Sequence, residues 1–253
     1  MSSIIAGNPI TESTAMRLKF ALTSLLLALT VPAHADFSGT GEFGLVFNRG
    51  NSETEAANAR LELMWERERW ENESTATGVY ARDTGTTSAN RFAVANTLNY
   101  SLSERSFAGG SLRYDRDQFS SFRYQASVAA GYGYRVLTGE THRLTVEAGP
   151  GYQFAEIRDT GETDNQAIVR GRASYRWQIA EATRLTNRLL VEAGSKNTFA
   201  ENALALSVAI NSRLSLGTGV TVRHNTDVEP GRKKTDTLTT VTLAYNFGSS
   251  KAG

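Results

Sequence analysis

Arg170, Arg172 and Arg176 fall at even spacings in the run Val169-Arg170-Gly171-Arg172-Ala173-Ser174-Tyr175-Arg176-Trp177. An extended chain puts all three on one side, whereas a helix would spread them over different faces. Guanidinium groups stay charged at any pH a cell meets, so such a row attracts and holds anions unless acids neutralise it. Other charged residues share the polar phase of neighbouring stretches: Arg60, Arg91, Arg113, Arg123 and Arg143 before this row, Arg188 and Arg223 after it. Asp115, Glu62, Glu147 and Glu192 are the acids on the same phase.

Other reactive groups are few. His224 beside Asn225 has the makings of a base with an orienting partner, as a serine hydrolase needs. It shares its phase with Val220 and Val222, however, which places it on an apolar face, so no catalytic residue is assigned. Asp115 with Asp117, and Asp159, Glu162 and Asp164, could offer oxygens to calcium. Their spacing matches no calcium loop, and solvated carboxylates are the preferred reading. The absence of Cys excludes a disulfide framework and thiolate metal sites. No cofactor motif is present, and 27 Lys and Arg against 26 Asp and Glu argue against a nucleic-acid binder. Gly231-Arg232-Lys233-Lys234 is a basic loop that could attract lipopolysaccharide phosphates or simply keep a turn soluble.

The elements that must carry these residues are strands. Ala57, Ala59, Leu61, Leu63 and Trp65 alternate with Asn58, Arg60, Glu62 and Met64, and the same period of two recurs down the chain. The alternation predicts about twelve strands, near residues 37 to 48, 54 to 66, 70 to 82, 90 to 101, 106 to 117, 122 to 135, 142 to 156, 166 to 179, 184 to 193, 202 to 212, 215 to 226 and 235 to 247. The third alternates poorly. Connections after odd-numbered strands read as long and polar, those after even-numbered strands as tighter, the asymmetry of an outer-membrane barrel. Trp65, Trp70, Tyr100, Phe107, Tyr134 and Trp177 fall near the predicted short turns, and Phe47, Tyr80, Phe92, Tyr114, Phe122 and Phe154 near the long loops. These are two expected interfacial girdles.

Ahead of the strands, Arg17 and Lys19, the apolar run Phe20 to Val31 and Ala33-His34-Ala35 have the three parts of an export signal cleaved after Ala35. Residues 1–15 then read as an upstream extension, 16–35 as the signal peptide and 36–253 as one all-β domain, a transmembrane antiparallel up-and-down barrel of about twelve strands. An even strand count puts both strand termini on the periplasmic side.

Arg49-Gly50-Asn51-Ser52-Glu53-Thr54 after the first strand and Pro230-Gly231-Arg232-Lys233-Lys234-Thr235-Asp236-Thr237 before the last resemble the salt-induced outer-membrane proteins, the YdiY-like family. The resemblance runs from the opening Phe-Ser-Gly to Tyr245-Asn246-Phe247. It implies an outer-membrane barrel and supplies no catalytic residues. The expected surroundings are outer-membrane lipid, lipopolysaccharide and the barrel-insertion machinery. In such a barrel the charged set has two readings: arginines favouring small anions in a channel, or opposed charges that pair and close a structural or surface-binding barrel. An outer-membrane lipid hydrolase is the third reading.

Overall fold

The computed structural model describes residues 36–48, 54–228 and 230–248. The expected extension and signal peptide, residues 1–35, lie outside them. Twelve strands form: β1 (Asp36–Asn48), β2 (Thr54–Arg67), β3 (Trp70–Asp83), β4 (Thr86–Ser101), β5 (Ser106–Asp117), β6 (Phe122–Thr138), β7 (His142–Ile157), β8 (Gln166–Ala180), β9 (Thr183–Gly194), β10 (Thr198–Ala209), β11 (Leu214–Asn225) and β12 (Thr235–Gly248). Each pairs antiparallel with its sequence neighbours, and β1 pairs with β12, so the sheet closes on itself. Closure pairs the backbone groups that an open edge would leave bare, which lets strands cross a hydrocarbon layer.

The register carries the alternation into two surfaces. Phe43, Leu112, Val169, Val241 and Leu243 are each at least half exposed on the outside. Their strand neighbours point inward, among them Ser111, Arg170 and Thr242, all buried. A polar inside under an apolar outside is the reverse of a water-soluble fold and defines a membrane-spanning barrel. Trp70 packs edge-on against Tyr100 with ring centroids 4.9 Å apart, and Trp177 stacks on His142 at 5.8 Å, both at the end where the shorter turns lie.

Among the expected girdle rings whose side chains are described, which leaves out Phe47, two are not on the outside. Phe107 is 2% exposed and lies inside, with the Arg135 guanidinium 5.1 Å from its ring centre, and Phe122 is 6% exposed beside the bulge at the start of β6. That same bulge removes Arg123 from the inner phase, so it pairs with Glu156 rather than with an inward acid.

The poor alternation of β3 has a local cause. Asn72 and Ser74 share the outer phase of Trp70 and Tyr80, and there they bind Asn96 of β4: the Asn96 amide donates to Asn72 Oδ1 at 3.1 Å and to Ser74 Oγ at 2.8 Å. A second outward amide pair, Asn187 on β9 and Asn202 on β10, exchanges hydrogen bonds of 3.1 and 3.2 Å.

The loop asymmetry is weaker than the sequence reading holds. The expected loop over residues 83–89 is a tight turn at Thr84 and Gly85, both at positive φ, and β4 therefore begins at Thr86. The connection expected over 194–201 contracts to residues 195–197, because Thr198 already pairs with Ala193. The long connections of that end are 158–165 and 226–234, and 49–53 lies outside the described residues.

Candidate functional site

Inward-facing residues of opposite walls reach one another, and they do so through charge. Near the loop end, Asp115 on β5 accepts from Arg223 on β11 at 2.7 Å and from Arg91 on β4 at 3.2 Å, with Arg113 at 3.4 Å. Arg223 and Arg91 also hold Glu201 on β10, at 2.9 and 3.2 Å. Glu192 on β9, only 1% exposed, takes Ser127 Oγ at 2.6 Å and Arg113 at 3.4 Å. The guanidinium groups of Arg113 and Arg223 lie 4.3 and 5.0 Å from the centroid of Phe199, so one buried ring meets two cations. Buried charges are tolerable only when paired this closely.

A second band crosses the middle of the barrel. Glu62 on β2 binds Arg60 at 2.7 Å and Arg188 on β9 at 3.0 Å, and Arg172 on β8 pairs with Glu73 on β3. Arg170 donates to Glu147 at 2.9 Å and lies 3.9 Å from Glu192. The row read from the sequence therefore divides. Arg170 and Arg172 are neutralised by acids from other strands, one of them, Glu73, outside the sequence-derived set, as is Glu201, which holds Arg91 and Arg223. Arg176, opposite Arg143 in the β7–β8 register, has no ion pair among the described residues.

The pairs do not fill the lumen evenly. A cavity of about 360 Å³ runs mainly along β1 to β3 and β9 to β12, with Arg91 of β4 and Gln178 of β8 at its margin, where small side chains such as Thr40, Ser207, Gly217, Thr240 and Thr242 leave room. Its charged lining includes Glu42, Arg60, Glu62, Arg184 and Arg188. Glycine has a steric role here: a Cβ at Gly217 would stand 3.0 Å from Thr242 Oγ1.

The loop end is tied across. Arg158 donates to the carbonyls of Ser120 and Phe122, each at 2.9 Å, and to that of Asp117, pinning the β5–β6 turn. Arg232, on the connection between β11 and β12, donates to Phe119 O at 2.7 Å on that same turn. These hairpins stand on opposite sides of the closed strand order, so the contact bridges the mouth. Of the basic loop, Lys234 also donates to Thr226 O at 2.6 Å.

The remaining candidates have structural partners. His224 Nδ1 lies 2.8 Å from Thr235 Oγ1 on the outer surface, and Asn225, the would-be orienting group, accepts from the Asn197 amide at 2.9 Å. Asp164 takes Lys196 at 2.8 Å, a hydrogen bond that raises the Lys196 amine above its ordinary value. Among the described residues no group of His, Asp and Glu is placed to hold a metal.

Residues 41–247 match the family described as "Protein of unknown function, DUF481", and the chain belongs to that family. No curated protein is significantly similar to it in sequence. Among solved structures it is similar to the translocator domain of the autotransporter NalP from Neisseria meningitidis, at 12% identity and TM-score 0.48 over 94% of this chain and 96% of that one. It is similar to the NanC porin at 10% identity and TM-score 0.48, over 84% and 99%. An outer-membrane channel from Pseudomonas putida F1 gives 11% identity and TM-score 0.48, over 86% and 96%. The barrel assignment rests on this chain's own register.

Proposed function

We propose that the protein is a narrow outer-membrane channel that passes small solutes, with the cavity beside the charge network as its path. The observation that carries this is the uneven filling: side chains bridge one part of the lumen, while small polar residues keep about 360 Å³ clear along the other. In this reading residues 16–35 export the chain, the insertion machinery places it in the outer membrane, and the turn end faces the periplasm. The preference is for anions, supported by Arg143, Arg176 and Arg184 at the turn end rather than by the whole row on β8. The resemblance to salt-induced outer-membrane proteins supports a part in the envelope stress response, and the charge of Lys233 on the basic loop supports an attraction to lipopolysaccharide phosphates. Planar-bilayer recordings of the refolded protein test the channel: the wild type conducts, with anions favoured, and Ser207→Trp, which fills the cavity, lowers the conductance. A silent wild type would overturn it.

A second reading is favoured by the Arg232 to Phe119 bridge, which ties the loops over the mouth. That arrangement suits a closed barrel acting through its surface loops.

A further inference from the structure

Among the described residues the inward cations of this barrel meet acids on their own strand or on others, save at one place. Arg143 and Arg176 are direct partners in the β7–β8 register, and Gln178 faces Arg184 in the β8–β9 register, which makes Arg176 and Arg184 diagonal neighbours. All three share the inner phase at the turn end, and Arg143 and Arg184 are the charged neighbours that act on Arg176. None forms an ion pair among the described residues, although Glu140 and Glu181 lie in the adjoining turns. Like charges placed directly opposite on a sheet repel, so this stack is unfavourable without a counter-charge.

The outer two guanidinium groups are oriented for one. Arg143 Nε donates to Gly139 O at 3.4 Å and Arg184 Nε to Gln178 Oε1 at 3.1 Å. Gln178 is fixed in turn, its amide donating to the carbonyls of Ala180 at 2.9 Å and Glu181 at 3.2 Å. With Nε engaged, each group keeps its two terminal nitrogens, the edge that meets an oxyanion in a bidentate fashion.

We infer that Arg143, Arg176 and Arg184 form a binding site for a tetrahedral oxyanion, of the phosphate or phosphomonoester class, at the turn-end mouth of the lumen. Three forks from three adjacent strands suit an ion with oxygens in several directions and two negative charges better than they suit a monovalent halide. The inference rests on the channel reading only for its physiological role, as the place where a phosphate-bearing solute first docks; the binding itself does not need conduction.

Calorimetric titration of the refolded protein in a zwitterionic detergent tests it, with inorganic phosphate and glycerol phosphate as separate probes and chloride as the background salt. Both probes should bind. Arg176→Gln should weaken them about tenfold or more, as loss of a charge-assisted hydrogen bond to an anion does. Arg184→Lys keeps the charge and loses the fork; it should weaken phosphate while heat-modifiable migration stays intact, which separates binding from folding. Binding of glycerol phosphate alone would mark an ester as the ligand; inorganic phosphate alone would mark the free ion. Absence of binding by both, or equal binding by wild type and Arg176→Gln, overturns the site. Bilayer recordings made in parallel keep the two proposals apart: a silent barrel that still binds phosphate retains the site and loses the channel.

Discussion

Asp115 and Arg223 meet at 2.7 Å from β5 and β11, strands six apart in a closed order of twelve. Two side chains therefore span this barrel at that level, and the carboxylate is shared by three guanidinium groups.

Asp115→Asn should leave Arg91, Arg113 and Arg223 crowded without a counter-charge and cost about 3 to 5 kcal/mol of folding stability, the scale of breaking a buried pair. The double replacement Asp115→Leu with Arg223→Met should cost less than the single one. Urea unfolding in detergent micelles, followed by tryptophan fluorescence, compares the two.

Leu243 and Thr242 test the facing. Leu243 is half exposed on the outside and Thr242 is 8% exposed inside. An Arg at the bilayer midplane costs about 2 to 4 kcal/mol on the lipid face. Leu243→Arg should thus impair folding into vesicles while Thr242→Arg mainly narrows the cavity. Protease protection after refolding reads the first effect and conductance the second.

This facing was legible in the sequence, because alternation in β2, β8 and β12 is a local property. The pairing of charges was not. Arg188 and Glu62 are 126 positions apart, and Arg223 and Asp115 are 108 apart, so periodicity within a strand carries no trace of them. Closure into twelve strands brings such walls together, and counting strands around the ring is the signal that would have matched β5 with β11. The start of β4 escaped for another reason: Thr86, Thr87, Ser88 and Ala89 offer no apolar partner to alternate with, and the Thr84-Gly85 turn shows itself only through positive φ. The start of β10 escaped because Phe199 points inward, against the apolar-out rule.

Arg170 and Arg176 should respond differently to the same replacement. Arg170→Gln removes the partner of Glu147 and one partner of buried Glu192, and should lower the temperature at which the barrel loses its compact migration on SDS gels. Arg176→Gln removes a charge with no acid beside it, so it should shift reversal potentials toward lower anion preference and leave that temperature unchanged. Equal effects of the two on selectivity would contradict this division of the row.

The outward amides make a third kind of test. Asn187 and Asn202 satisfy each other on a surface that meets hydrocarbon. Asn202→Leu alone leaves an amide unpartnered and should destabilise by about 1 to 3 kcal/mol. Adding Asn187→Leu should restore most of the loss. A double-mutant cycle by urea unfolding in vesicles measures the coupling.

Among the described residues the seam between β1 and β12 joins Ser38 to Phe43 with their six partners, whereas β1 and β2 are matched over thirteen positions. The cylinder is thus a ribbon fastened along a short closure, and the fastening lies toward the turn end, leaving Gly44 to Asn48 without a β12 partner in the register. Rupture under force or denaturant should start where the closure stops and run toward the turn end, and assembly should run the other way, with a wound ribbon of eleven hairpin contacts snapping shut along β1 and β12 as its final act.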